Sequence, residues 1–400
     1  MRNRRAFLQP LLLVLAACCS TVHADSSLPG PFAVSQRTVT VTRPNSTTFS
    51  AQIRYPATAT TASAPFNAAA GPAPAITFGH GFLTAVDLYD STMDHLASHG
   101  YIVIATTSGG ELFPNHANYA LDMRYCLTWL EQQDALKSSW LFGAVDQSAF
   151  GVSGHSMGGG ASALAAAADP RIKALCTLAA AETNPSSSAA MTSVQRPSRF
   201  IVGSQDTIVP PSTTAAQYNA CDAPRQTVTI AGGSHCGFID SPIIACDSGS
   251  LPRPEQLAKT RALMLEFFDA HLRGDAEAFS TVWGAGAQVA GTSMVRDART
   301  GASLASASLS GPAGTPLSTT VTIVNNGPDA TAFAPRAAGP ALAAFTPAVS
   351  AEIGAGQSAV FTVTLSSGSP VSGSMAIDCV RTRDDAGASL ALAVTFTESS

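Results

Sequence analysis

Charge is what this sequence has least of: Asp, Glu, Lys and Arg make up 12% of its 400 residues and leave a formal net charge of −5. A chain so poor in charge lacks the self-repulsion that keeps polypeptides disordered, and its 46% of hydrophobic residues is ample for a core. No run of Lys or Arg occurs, so nucleic acid and anionic membrane surfaces are unsuited partners, and small neutral molecules fit better. The six cysteines after residue 24 are scattered singly with no Cys-x-x-Cys pair, which argues against a metal centre, and nothing calls for a cofactor. No internal repeat is evident, and no apolar run is long enough to span a bilayer as a mature helix.

What is present begins with an export signal over residues 1–24: Arg2, Arg4 and Arg5, an apolar stretch over 11–17, and the small-residue exit Val22-His23-Ala24. Two variants compete with simple cleavage after Ala24. Arg4-Arg5-Ala6-Phe7-Leu8 resembles a twin-arginine signal, and Leu15-Ala16-Ala17-Cys18 resembles a lipoprotein processing site that would anchor the chain through Cys18. Either way the protein is expected to be secreted or periplasmic, or held at the outer membrane by lipid. Export makes disulfides reasonable among Cys126, Cys176, Cys221, Cys236, Cys246 and Cys379. Cys236 and Cys246 share one loop and could close it, with Cys221 an alternative partner for either.

Residues 28–55 alternate apolar and polar, as in Thr38-Val39-Thr40-Val41, which predicts an opening antiparallel pair. Short, nearly all-apolar runs then alternate with helix-like stretches: Ala75-Ile76-Thr77-Phe78, 101–105, 149–153, 174–178, 200–202 and 227–230. Strands covered on both faces read this way, so the expected sheet is mostly parallel. Helices are expected over 87–98, 119–132, 157–168 and 254–272, and the last of these is expected to end the helical part. Beyond Gly274, Ala, Ser, Thr and Gly rise, and short strands separated by turns such as Asn325-Asn326-Gly327-Pro328 predict a small immunoglobulin-like β-sandwich. The expected organisation is an export signal over 1–24, a catalytic domain over 25–285 and an accessory sandwich over 286–400.

The chemistry centres on Gly154-His155-Ser156-Met157-Gly158, which follows a predicted buried strand and opens a predicted helix. That context makes G-x-S-x-G the nucleophile turn of an α/β-hydrolase fold, where glycines on either side give the chain room to reverse and expose the Ser156 hydroxyl. A serine hydroxyl needs a base and an orienting carboxylate, which this fold supplies later in the chain, acid first. Asp206 follows the run at 200–202, and His235 follows the next run in Gly232-Gly233-Ser234-His235-Cys236. Chain order sets aside His80, His95, His99 and His116 as the base. His155 should point away from Ser156, and His271 is expected at the surface of its helix. The tetrahedral oxyanion needs two main-chain donors, expected from Met157 and, in the loop Gly79-His80-Gly81-Phe82, from Phe82. Phe82, His155 and Phe238 are expected to face the substrate.

Taken together, Gly79-His80-Gly81-Phe82-Leu83, Gly154-His155-Ser156-Met157-Gly158-Gly159-Gly160, Asp206-Thr207-Ile208-Val209-Pro210 and Gly232-Gly233-Ser234-His235-Cys236 resemble bacterial cutinases and polyester hydrolases, with the related dienelactone-hydrolase-like esterases. The resemblance covers about residues 28–272. It implies a carboxylic ester hydrolase with an open groove, Ser156, Asp206 and His235 as triad, and Phe82 and Met157 as oxyanion donors. Two departures matter. Such enzymes usually carry a tryptophan where this chain has Ala179-Ala180-Ala181-Glu182, which favours aliphatic over terephthalate esters, and Gly203 stands where one partner of the family's disulfide would be. The expected activity is hydrolysis of neutral esters or polyesters by a monomer, with the C-terminal domain serving attachment to a polymer or cell surface. A lipase or small-ester esterase is the alternative, and a surface-binding protein with a degenerate hydrolase domain is the alternative of another class.

Overall fold

The computed structural model describes residues 25–284, 289–383 and 385–398. The expected export segment with Cys18, and the expected junction at 285–286, lie outside these residues. The opening alternation folds as predicted: β1 (Ala33–Thr42) and β2 (Thr48–Ala57) pair antiparallel along their whole length, from Ala33 opposite Ala57 to Thr42 opposite Thr48. Next come β3 (Ala73–Gly79), helix α1 (Asp90–Ser98), β4 (Ile102–Thr106), α2 (His116–Ala135), β5 (Val145–His155), α3 (Met157–Ala168) and β6 (Ile172–Leu178). The short helix α4 (Ser187–Met191), β7 (Ser198–Gly203), α5 (Pro211–Ala220), β8 (Arg225–Ile230) and α6 (Arg253–Leu272) complete the predicted rhythm.

Strands β3 to β8 are parallel neighbours in a sheet whose order runs β1-β2-β4-β3-β5-β6-β7-β8 and then one further strand. Every residue of β3 and β4 is buried, because helices cover both faces. On one face Met123, Leu127 and Ala161 of α2 and α3 pack on Ile102, Ile104 and Val152. On the other, Leu96 of α1 and Phe267 and Phe268 of α6 pack on Ile76, Val103 and Ile201. Burying such side chains contributes about 1.5–3 kcal/mol each, so the sheet is a rigid floor for the loops at its ends.

Beyond Gly274 the structure corrects the sequence reading. Helix does not end there: α7 (Ala276–Trp283) follows, its first turn capped by the Asp275 carboxylate, which accepts from the Ala278 amide at 2.9 Å. Trp283 folds back on α6 and its indole N–H donates to His271 Nε2 at 3.0 Å. His271 is therefore buried rather than on the surface, and burial, with the charge of Arg199 adding to it, takes its pKa down to about 3. The next strand, β9 (Thr292–Asp297), pairs antiparallel with β8 and closes the edge of the large sheet, so that sheet continues past the expected junction.

The remaining strands are β10 (Thr300–Leu304), β11 (Ser308–Pro312), β12 (Leu317–Asn325), β13 (Arg336–Ala338), β14 (Leu342–Thr346), β15 (Ser358–Ser366), β16 (Val371–Val380) and β17 (Gly387–Thr397). They form two four-stranded sheets, β10-β12-β15-β14 and β11-β17-β16-β13, around a shared core that includes Val321, Phe361, Ile377 and Phe396. This β unit docks on the unit built on the large sheet, where β5, β6 and β7 begin. Val380 and Ala386 enter the core cluster of α6 and α7, and Arg196 donates to the Arg383 carbonyl at 3.0 Å. Among the described residues no helix is long and apolar enough to cross a membrane.

Candidate active site

Ser156 stands between β5 and α3 with φ 56° and ψ −121°, a conformation that non-glycine residues avoid. Its surroundings enforce it: the Ser156 amide donates to the Leu178 carbonyl at 2.9 Å, and the Ser156 carbonyl accepts from Ala181 at 2.9 Å and Gly160 at 3.1 Å. The glycines beside it are steric necessities. A Cβ on Gly154 would lie 2.4 Å from the Gly158 carbonyl oxygen, and one on Gly158 would lie 2.1 Å from that of Gly79. The ends of β3 and β5 and the start of α3 thus touch backbone to backbone. The first amides of α3, beginning with that of Met157, have no carbonyl a turn earlier in the helix to bond, and they carry the positive end of its dipole.

Asp206 and His235 are brought together by adjacent parallel strands, β7 and β8, whose loops leave at the same edge as Ser156. His235 Nδ1 is 2.8 Å from Asp206 Oδ2, and both side chains are buried. The other carboxylate oxygen, Oδ1, accepts from the amides of Ile208 at 3.0 Å and Val209 at 2.7 Å, which fixes the rotamer that meets the ring. Gly203 lets the two loops approach, since a Cβ there would lie 2.4 Å from the Gly233 carbonyl. Cys236 and Cys246 form the disulfide that closes the histidine loop, while Cys221, the alternative partner, is a free, buried thiol.

Two residues that hold this loop were not singled out in the sequence. Asp247 accepts from the amides of Thr207 at 3.1 Å, His235 at 3.0 Å and Cys236 at 2.9 Å, so one carboxylate ties the Asp206 loop to the His235 loop. Burial alone would raise its pKa; those three amides and the charge of His235 outweigh it and hold the group below the ordinary carboxylate value. Gln256, on α6, brackets Ser234 by accepting from its amide at 2.9 Å and donating to its carbonyl at 2.8 Å. Only its polar side chain on a largely apolar helix face hinted at Gln256, and Asp247 had no signal beyond following Cys246.

Of the three residues expected to face substrate, Phe82 alone offers surface. Its ring is 44% exposed in the loop after β3. Phe238 is fully buried against His155, at 5.7 Å between ring centres, and His155 is itself buried with its ring 4.5 Å from that of His235. These rings pack behind the histidine and present nothing to a ligand. His155 has its pKa pushed far below the usual value, mainly by burial and also by the His235 ring, so it is neutral. Its Nδ1 lies 2.9 Å from the Tyr89 hydroxyl, which also accepts from the Gly81 amide at 3.0 Å. With Gly81 so engaged, Phe82 supplies the next amide of the loop. His95, on α1, and His99, the residue that ends it, have ring centres 4.7 Å apart, a spacing the sequence reading passed over. Among the described residues no group of three or more His, Cys, Asp or Glu side chains could hold a metal ion.

No curated protein matches the chain. The model of a protein family does: the one described as PETase, PET hydrolase-like, matches residues 18–244 and so covers more than half of the 400 residues, including Ser156, Asp206 and His235. A mostly parallel sheet with helices on both faces, carrying these residues on loops at one edge, is the architecture that match calls for, and the chain belongs to the PET hydrolase-like family.

Proposed function

We propose that this protein hydrolyses neutral carboxylic esters, polyesters among them, through an acyl-enzyme on Ser156. Family membership makes it an ester hydrolase in general terms. The observation that carries the finer reading is the buried Asp206–His235 pair at 2.8 Å, whose imidazole packs on His155, the residue before a serine held in a strained turn. Asp206 keeps the proton of His235 on Nδ1, leaving Nε2 free as a base. His235 takes the Ser156 proton as Oγ attacks the ester carbonyl, and the resulting oxyanion lies between the amides of Phe82 and Met157. Collapse breaks the bond to the leaving alcohol, which departs with the proton from His235. Water, deprotonated by the same ring, then releases the acid and frees Ser156.

The rim of the site supports a neutral, water-insoluble substrate. Phe82, Leu112, Phe113, Ile208 and Ile244 are exposed on four separate loops at the catalytic edge, Phe113 to 93% and Ile244 to 98%. The loops that carry them, residues 80–85, 107–115, 204–210 and 231–252, contain no Lys or Arg. With Ala179-Ala180-Ala181-Glu182 in place of an aromatic wall, aliphatic chains fit this rim better than terephthalate. The remaining features of the reading are export by the segment 1–24, either with cleavage or with lipidation at Cys18, and an immunoglobulin-like β unit. Two four-stranded sheets around one core support the latter. The catalytic unit then extends through β9, and the β unit starts at β10.

Ser156→Ala is expected to abolish turnover of p-nitrophenyl butyrate and of an aliphatic polyester film. A triad serine contributes about a million-fold in kcat, so turnover within tenfold of wild type would overturn the reading.

A further inference from the structure

Tyr89 lies outside the triad and the oxyanion donors, just before α1, yet its hydroxyl is where three parts of the site meet. It is fully buried, stacked on Phe78 with ring centres 5.0 Å apart. Its oxygen accepts from the Gly81 amide at 3.0 Å, lies 2.9 Å from His155 Nδ1 and is 3.1 Å from Thr84 Oγ1. Thr84 in turn donates to the Gly81 carbonyl at 2.8 Å, so both polar groups of Gly81 are spoken for.

Two of these bonds have a direction fixed by their donors, the Gly81 amide and the Thr84 hydroxyl. Burial raises the Tyr89 phenol to about 12 and drives His155 down, so both are neutral. The Gly81 N–H occupies one lone pair of the phenol oxygen, and Thr84 spends its proton on the Gly81 carbonyl. The phenol and His155 Nδ1 share the remaining short contact, so the ring of His155 is tied to the same oxygen as the Gly81 amide. One hydroxyl thereby fixes the loop that presents the Phe82 amide and, at the same time, the ring on which His235 packs at 4.5 Å. The space is tight: a Cβ on Gly81 would lie 3.1 Å from the Tyr89 hydroxyl and 3.3 Å from His155 Nδ1.

We propose that Tyr89 is a positioning residue for transition-state stabilisation, its hydroxyl holding the Gly81-Phe82 loop in register with the Ser156 turn and with His235. The inference rests on the ester-hydrolase reading above. Oxyanion stabilisation depends on donors already in place, so a freed loop costs rate in the transition state while ground-state binding changes little.

The test is Tyr89→Phe, which keeps the ring and removes only the oxygen, compared with Tyr101→Phe. Tyr101 is another fully buried tyrosine, whose hydroxyl donates to Asp269 at 2.6 Å away from the catalytic edge. For p-nitrophenyl butyrate, Tyr89→Phe is expected to lower kcat about 10- to 100-fold, less than the roughly 100- to 1,000-fold for deleting an oxyanion donor outright, with KM within about twofold. Affinity for a trifluoromethyl ketone, whose adduct on Ser156 bears an oxyanion, should fall by the same factor as kcat/KM. Tyr101→Phe is expected to lower the melting temperature at least as much while keeping kcat. The proposal is overturned if Tyr89→Phe keeps kcat within twofold, or if its kcat loss is matched by Tyr101→Phe at equal loss of melting temperature. If wild type shows no ester turnover, or Ser156→Ala retains it, the ester-hydrolase reading fails instead, so the two failures are distinguishable.

Discussion

A serine at φ 56° costs about 1–3 kcal/mol of backbone strain, which persists only where the surroundings leave the chain no alternative. Here Gly79, Gly154 and Gly158 in mutual backbone contact remove the alternatives. The same logic of over-determination applies to His235, which opens a short 3-10 turn held by Asp247, Gln256 and the Cys236–Cys246 disulfide. Asp247 gives the clearest dependence on pH. Its folded pKa lies below the unfolded value of about 3.9, so its contribution is present above that value and is lost as pH falls through the folded one. In Asp247→Asn one carboxylate oxygen becomes an NH2 facing main-chain N–H groups. The variant is expected to lose about 1.5–3 kcal/mol at pH 7, as for hydrogen bonds to charged groups, and kcat should fall several-fold. Thermal melts at pH 7 and pH 3 check this: the gap to wild type should shrink at pH 3, and an equal gap at both would refute the charge-based account.

At the scale of elements, the loops at the catalytic edge divide the work. Those after β5, β7 and β8 carry the proposed reacting groups, while the tips at Phe113 and Ile244 carry apolar side chains that water does not favour. Burying each against an apolar solid would contribute up to about 1.5–3 kcal/mol. Replacing both by serine is therefore expected to weaken adsorption to an aliphatic polyester film at least tenfold while kcat/KM on a soluble ester stays within twofold. Depletion of protein from solution over the film, measured beside the soluble assay, checks this, and unchanged adsorption would remove the rim from the reading. How far such features could be read in advance follows from their physics. Strands β3 to β7 were legible because burial on both faces leaves short apolar runs, and β8 by the alternation in Thr227-Val228-Thr229-Ile230, while chain order placed the proposed Ser156, Asp206 and His235 after successive strands. Helix α7 escaped because it is short, with Asp275 as its main signal, and β9 because an edge strand carries too few apolar residues to stand out. His271 was misplaced because the face it occupies is covered by Trp283 from a later element. Tyr89, His155 and Phe238 depend on contacts across β3, β5 and the histidine loop, which no local pattern encodes.

For the molecule as a whole, the position of the β unit decides what it can do. It meets the catalytic unit around Ser148, Lys173 and Arg196, at the starts of the parallel strands, whereas Ser156, Asp206 and His235 lie past their ends. A unit on that side does not line the site, and if it alone held a polymer the catalytic rim would face away from the surface. Its contacts instead read as support: Val380 and Ala386 complete the core around α6 and α7, and Ser389 approaches Ser280 of α7 at 3.4 Å. Two truncations separate the roles. Ending the chain after Leu272 removes α7 and β9, strips β8 of a partner along Arg225–Ile230, and uncovers His271. That product is expected to be insoluble or to melt more than 10 °C lower, since each 1 kcal/mol shifts the midpoint of a domain this size by about 2–4 °C. Ending after Ala298 keeps the sheet edge and the cover on His271, and loses only the β unit. This form is expected to stay soluble, melt several degrees lower, retain kcat on p-nitrophenyl butyrate and adsorb to polyester film as the full chain does. If it keeps kcat but loses adsorption, the β unit is the attachment module, and if the form ending at Leu272 matches the full chain in melting and activity, β9 and α7 do not stabilise the sheet edge and α6.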